Sequence, residues 1–276
     1  MLRAVRWTFP KVEKIAPFLA HRYFVKIFFT PLRYRVPEKE QLIEKKAEKF
    51  EVFVAKKKIQ CYSWGKGPVV LLAHGWAGRA TQLRKFIEAL TSHGYRVVGF
   101  DGPAHGQSDG KSTNIVEFEV AFKRIYELVG VPEAIICHSF GGGAALFAAM
   151  NGLPVKKLIN IASPTIADEI IRTYLRAING SWETGKFFKR YVLRTYGKSF
   201  EEFTALHFIS NMQQAIDILL IHDENDEEVT IDHAKALMSL YPNAKLFQTA
   251  GLGHTRILKD DAVIARTVTF IRENRQ

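Results

Sequence analysis

Ser139 lies in the run Cys137-His138-Ser139-Phe140-Gly141-Gly142, directly after the apolar stretch EAIICHS and directly before FGGGAALFAAM, a string of mostly small residues. That order reads as a strand, a tight turn and a helix. A serine on such a turn is held in a strained backbone conformation, provided that the residues two before and two after it are small. Gly141 meets the requirement; Cys137 stands where glycine is usual and is expected to keep strand and helix slightly further apart. A serine hydroxyl is a poor nucleophile at neutral pH and needs an adjacent base. Histidine can take its proton and return it to a leaving group, while a buried carboxylate fixes the tautomer and stabilises the charged ring. Two later segments offer such partners: Ile221-His222-Asp223-Glu224-Asn225-Asp226-Glu227-Glu228-Val229, and Gly251-Leu252-Gly253-His254.

Groups so far apart in the chain must be brought together by the elements that carry them. From residue 50 onward, short apolar runs alternate with longer stretches of helical period. FEVFVA and KIQCYSW read as a hairpin turning near Lys56, Lys57 and Lys58. PVVLLAH, YRVVGFD, EAIICHS, KKLINIAS, AIDILLIHD and AKLFQTA read as further strands; PVVLLAH and YRVVGFD are apolar enough to be buried on both faces. Helices are expected at about 80–92 and over STNIVEFEVAFKRIYELVG, FGGGAALFAAM, TIDHAKALMSLY and DDAVIARTVTFIREN. The alternation predicts an α/β fold with a mostly parallel central sheet flanked by helices. Ligands collect at the carboxyl ends of strands in such sheets, and Ser139, Asp226 and His254 all fall there. Residues 164–214 interrupt the pattern with helical stretches (IADEIIRTYLRAI, SFEEFTALHFISNMQ) around Trp182, Phe187, Phe188 and Tyr191. An insertion at that point, after the serine and before the acid, is where a lid would sit.

Two more loops complete the set: Ala73-His74-Gly75-Trp76-Ala77-Gly78 and Phe100-Asp101-Gly102-Pro103-Ala104-His105-Gly106-Gln107-Ser108 each follow a strand. With these five motifs in order, the chain resembles the α/β-hydrolase superfamily of serine hydrolases, esterase- and lipase-like, from residue 50 to its end; the first 49 residues lie outside the resemblance. The resemblance implies an α/β-hydrolase fold with a helical cap. It implies Ser139 as nucleophile, Asp226 as acid in a His-x-x-x-Asp-x-x-Val pattern, His254 as base, and the backbone N–H groups of Trp76 and Phe140 as an oxyanion hole. Asp223 and Glu224 compete with Asp226, and Asp223 stands where the family commonly has glycine, a position that shapes the turn. His74, His105, His138 and His222 sit at strand ends and turns, where an imidazole can bond backbone groups, and Asp101 ends a strand whose loop it can hold. A serine at position 139 disfavours the haloalkane and epoxide hydrolases of similar fold, which use aspartate there. What remains is acyl transfer to water, of which cleavage of a carboxylic ester through an acyl-enzyme is the commonest outcome in the family; Trp76 and the aromatic insertion point to an apolar acyl pocket. Thioester, amide or carbon–carbon bond hydrolysis on the same triad are alternatives, as is a binding protein with an idle triad.

Composition bounds the rest. At 276 residues, 47% hydrophobic and 24% charged, the chain is of ordinary globular make-up. Cys61 and Cys137 are too few for a disulfide framework and are expected as reduced thiols. There is no His-Glu-x-x-His motif, no cysteine pair with ligand spacing and no phosphate-binding glycine loop, so neither metal nor cofactor is called for. No run of 18 apolar residues occurs and charged residues break up the N-terminus, which makes a cytoplasmic enzyme with a small-molecule substrate the expectation. Of the net charge of +11, +7 belongs to residues 1–36, which hold eight Lys or Arg and one acid, Glu13. No nucleic-acid-reading motif accompanies it, so nucleic acid is not an expected partner. Trp7, Phe9, Phe18, Tyr23, Phe24, Phe28 and Phe29 are interleaved with the charges. The segment either packs on the hydrolase body, with apolar residues buried on most sides between Pro17 and Thr30, or makes peripheral contact with an anionic membrane. The domain organisation expected is a basic, aromatic helical segment at 1–49, a core at 50–163 and 215–276, and a cap at 164–214.

Overall fold

The computed structural model describes residues 2–273. Its apolar runs form the eight strands β1 (Glu48–Val54), β2 (Lys57–Trp64), β3 (Val69–Ala73), β4 (Arg96–Phe100), β5 (Ala134–His138), β6 (Lys157–Ile161), β7 (Asp217–Asp223) and β8 (Lys245–Thr249). They build one sheet in the order β1-β2-β4-β3-β5-β6-β7-β8, parallel throughout except that β2 runs against both of its neighbours. This is the α/β-hydrolase fold.

Continuous apolarity in the central strands serves two cores at once. On β3, Leu71 and Ala73 enter one core while Val70 and Leu72 enter the other, as the two-residue period of a strand requires. The twelve described helices are α1 (Leu2–Ile15), α2 (Pro17–Phe29), α3 (Glu38–Lys45), α4 (Arg84–Ser92), α5 (Ile115–Val129), α6 (Phe140–Met150), α7 (Ala167–Ile178), α8 (Trp182–Tyr196), α9 (Ala205–Ser210), α10 (Asp232–Leu240), α11 (Gly253–Arg256) and α12 (Asp261–Arg272). Helices α5, α6, α9 and α10 cover one face of the sheet with Phe118, Phe122, Ala145, Phe208 and Leu237. Helices α4 and α12 cover the other with Phe86, Leu90, Val263 and Ile271. Capping sets several of the ends. Asn114 accepts the Glu117 N–H at 3.1 Å to start α5, and Asp260 accepts the Val263 N–H at 3.0 Å to start α12.

A third core joins parts of the chain that the sequence keeps far apart. Phe9 of α1 and Ala20 and Phe24 of α2 are buried against Ile171 and Leu175 of α7 and Phe188 and Val192 of α8. Pro10 lies inside α1 without ending it. A proline frees the carbonyl four residues before it, here that of Arg6, and Asn179 Nδ2 donates to that oxygen at 3.3 Å. The packing differs from the expectation of a segment buried on most sides. Phe18, Leu19 and Tyr23 of α2 are exposed, because the cap helices cover only one face of the α1–α2 pair.

Candidate active site

The elbow after β5 is built as its sequence implies. Ser139 has φ 50° and ψ −122°, in a region that L residues seldom adopt. Its N–H donates to Ile161 O at 2.8 Å, and Ser163 Oγ donates to Ser139 O at 2.7 Å, so the loop after β6 braces the strained turn. Gly141 is required by space: a Cβ there would lie 2.6 Å from the Ala73 carbonyl oxygen. Cys137, the departure from the usual glycine, is fully buried in the core beneath, and burial raises its thiol well above the ordinary range.

Asp226 and His254 meet. His254 Nδ1 and Asp226 Oδ2 are 2.8 Å apart, while Asp226 Oδ1 accepts the N–H groups of Glu228 and Val229 at 2.9 Å each. Burial acts to raise the Asp226 pKa. It is outweighed by the His254 hydrogen bond and charge together with the two backbone donors, so the carboxyl lies below its usual range. Asp223 does not reach the histidine. It accepts from Asn225 N at 3.1 Å, Thr249 Oγ1 at 2.7 Å and Leu252 N at 3.0 Å, and thereby holds the loop that carries His254. Glu224 accepts a hydrogen bond from Gln248 Nε2 at 2.8 Å on the outside of the fold.

The other motif histidines each bond to backbone. His138 Nε2 donates to His254 O at 2.9 Å, which ties the residue beside Ser139 to the loop that carries His254. His74 Nδ1 donates to Gly75 O at 2.7 Å, and its Nε2 accepts the Gly102 N–H at 2.8 Å. His105 Nδ1 donates to Pro103 O at 2.9 Å, and His222 Nε2 to Val229 O at 2.7 Å. Burial keeps these rings neutral, lowering His138 and His105 to about 3 and His74 to about 4. Asp101 accepts from Ala80 N at 3.0 Å, Gln107 N at 2.9 Å and the Tyr62 hydroxyl at 3.0 Å, which pins its own loop.

Ser139 and His254 line a cavity of about 550 Å³ together with Trp76 and Phe140. Phe140 opens α6, so its N–H has no acceptor within the helix. Gly75, next to Trp76, runs so close to the elbow that a Cβ there would sit 2.9 Å from Ser139 Cβ. The cavity walls are largely apolar and include Ile170 and Tyr174 of α7 and Val192 of α8. A further part of the wall was not foreseen from sequence. Ile27, Phe28 and Phe29 of α2, with Leu32 and Tyr34 beyond it, line the same space. The only signal was the run IFFTPLRY, whose aromatic density did not say which surface it would meet. Among the described residues no group of His, Cys, Asp and Glu is arranged to hold a metal ion.

The profile of the family described as alpha/beta hydrolase fold matches residues 68–183. The match covers the strands and loops around Ser139, and the whole sheet has the order of the α/β-hydrolase fold. Solved structures of similar fold include an esterase of Pyrococcus furiosus, 19% identical, with TM-score 0.65 over 88% of this chain and 96% of that one. An esterase of Exiguobacterium antarcticum is 17% identical, with TM-score 0.65 over 82% of this chain and 100% of the other. A membrane phospholipase A, described as a bacterial virulence factor, is 16% identical, with TM-score 0.66 over 97% of this chain and 99% of its own. A share of 97% is too large to leave out the N-terminal helices, so that likeness of fold extends into them.

Proposed function

We propose that the chain is a serine hydrolase that cleaves carboxylic esters with apolar acyl groups through an acyl-enzyme intermediate. The observation that carries this reading is the 2.8 Å hydrogen bond between His254 Nδ1 and Asp226 Oδ2, formed at the wall of the cavity that also holds the strained Ser139. With Nδ1–H committed to Asp226, the lone pair of His254 is on Nε2, the nitrogen that must take the Ser139 proton. Ser139 Oγ then attacks the ester carbonyl, whose oxygen becomes an oxyanion stabilised by the N–H groups of Trp76 and Phe140. The protonated His254 returns its proton to the departing alkoxide, and the alcohol leaves. Water repeats the cycle on the acyl-enzyme: His254 takes its proton, the hydroxide oxygen bonds to the acyl carbon, and Ser139 Oγ departs with that proton to release the acid.

Specificity follows from the cavity walls. Trp76, Phe140, Ile170, Tyr174 and Val192 offer apolar contact and no positive charge, which suits an aliphatic or aryl acyl chain better than an acidic one. The division into a core at 50–163 and 215–276 and a cap at 164–214 belongs to the same proposal. The cap's role as a lid is shared by residues 1–49, since α2 packs on the cap helices and lines the same cavity. A fluorophosphonate probe tests the central claim: the wild-type protein should label and Ser139→Ala should not. Rates on p-nitrophenyl esters of increasing chain length, beside a thioester and an amide, test the substrate class. Labelling that persists in Ser139→Ala, or thioester turnover far above that of the matched ester, would reject it.

A further inference from the structure

The outward face of the N-terminal helix pair carries a surface that neither the cap packing nor the cavity uses. Arg3, Trp7, Lys11 and Lys14 recur three or four residues apart and so share one face of α1, opposite the buried Phe9. On α2, Phe18, Arg22 and Lys26 are likewise in line, with Leu19 beside them, opposite the buried Ala20 and Phe24. Trp7 is 66% exposed, Ile15 85%, and Phe18 and Leu19 60% each. Elsewhere among the described residues, large exposed apolar side chains are spread thinly along the chain, whereas Trp7, Val12, Ile15, Phe18, Leu19 and Tyr23 fall within one helical hairpin. Cations ride on the rings: Lys11 Nζ lies 3.1 Å from the Trp7 ring centre and the Arg22 guanidinium 5.4 Å from that of Phe18.

The one acid of residues 1–36 is turned away from this face. Glu13 accepts hydrogen bonds from the Ser181 hydroxyl at 2.8 Å, from Ser181 N at 3.0 Å and from the Thr184 hydroxyl, all at the start of α8. The outer face is therefore cationic and apolar with no acid of its own. A second protein partner would need a matching acidic and apolar patch, whereas an anionic lipid surface supplies both, with headgroup charge for Lys and Arg and acyl boundary for Trp, Phe, Ile and Leu. No described helix is long and apolar enough to cross a membrane, so the chemistry is that of a helix pair lying on the surface.

We infer that α1 and α2 dock this protein on anionic phospholipid bilayers through Trp7, Lys11, Lys14, Phe18, Leu19, Arg22 and Lys26. Resting on the ester-hydrolase reading, the docking also names a substrate source. Ile27, Phe28 and Phe29 wall the catalytic cavity directly after Lys26, so the helix that touches lipid also borders the site, and lipid-soluble esters are the substrates it favours.

The experiment uses the full chain carrying Ser139→Ala, so that binding is read without turnover. Its sedimentation is measured with vesicles of phosphatidylcholine alone and with vesicles that contain phosphatidylglycerol as well. The protein should sediment with the anionic vesicles at low salt, much less with the zwitterionic ones, and progressively less as salt screens the charges. Lys11→Gln/Lys14→Gln/Arg22→Gln/Lys26→Gln should weaken binding by on the order of 10–100-fold, and Trp7→Ser/Phe18→Ser/Leu19→Ser should also lose it. On an otherwise wild-type background both variants should keep their melting temperature and their rate on a short soluble ester. Hydrolysis of a long-chain ester embedded in anionic vesicles should fall with binding. No sedimentation with anionic vesicles, equal sedimentation with zwitterionic ones, or unchanged binding by either variant overturns the proposal. So does a dimer of wild type that both variants convert to monomer, since the face would then belong to a second copy. If binding holds but neither ester is cleaved, the docking stands and the ester reading fails.

Discussion

Replacing Asp226 by asparagine should disable the site by reversing a tautomer, and the structure dictates how. Asp226 Oδ1 accepts from Glu228 N and Val229 N at 2.9 Å, leaving Oδ2 to face His254 Nδ1 at 2.8 Å. In Asp226→Asn the amide oxygen must keep the two backbone donors, because the NH₂ group turned that way would set donor against donor. The NH₂ group then faces His254 Nδ1 and can only donate. Nδ1 must become the acceptor, the ring proton moves to Nε2, and the lone pair that should receive the Ser139 proton is lost. In a comparable triad the same swap lowers kcat by about 10⁴, or about 5.5 kcal/mol of transition-state stabilisation. We expect a loss on the order of 10³–10⁴ in kcat for a p-nitrophenyl ester, with a nearly unchanged melting temperature because volume and burial hardly differ. Asp223→Asn is the control. Its carboxylate accepts from Asn225 N, Thr249 Oγ1 and Leu252 N, and an amide with one acceptor atom must forfeit part of that set. That variant should lose about 1–3 kcal/mol of stability and only about tenfold in rate through a looser His254 loop. If Asp223→Asn costs more activity than Asp226→Asn at equal folding, the assignment of the acid is wrong.

Two further outcomes follow from the same geometry. Ser139→Ala and His254→Ala should each cost on the order of 10⁴–10⁶ in kcat and the double variant little more, since the residues act as a unit; additive losses in single-turnover assays would say that they do not. Stability should fall on acidification. Burial holds the folded-state values of His138 and His105 at about 3 and those of His74 and His233 at about 4, against about 6.5 for a free imidazole. Between about pH 6.5 and 4 the unfolded chain therefore binds more protons at these rings than the folded one. Their contribution is complete above that window and is lost as pH drops through it, at up to about 1.4 kcal/mol per pH unit for each ring. Asp101, whose pKa burial raises, opposes the trend by one proton at most. Urea midpoints measured from pH 7.5 down to 4.5 should decline; a flat profile would mean that the histidines are not held neutral.

Much of the core was legible in the residues because its determinants are local or periodic. PVVLLAH and YRVVGFD announce two-faced burial through continuous apolarity, and β3 and β4 serve both cores as that implies. The elbow is legible because only small residues fit beside it, and Gly141 leaves no room for a Cβ. Pro10 lies within α1, where Asn179 satisfies the Arg6 carbonyl that proline frees, 173 residues away in the chain. One reading from the N-terminal segment did not survive packing. The spread of apolar residues around α2 looked like burial on most sides, yet it divides into an inner face on the cap and an outer face in solvent.

The motif spacing pointed to Asp226, but only tertiary structure shows why it meets His254: Asp223 and Asp226 are both carboxylates on one loop, and what separates them is where the chain turns. The Glu228 and Val229 N–H groups aim Asp226 at the ring, while Thr249 and Leu252 hold Asp223 away from it. Only tertiary structure, likewise, made residues 27–34 a wall of the cavity that holds Ser139 and His254. Periodicity reports the angle at which a side chain leaves its own helix, and it carries no information about which distant element will lie against that face.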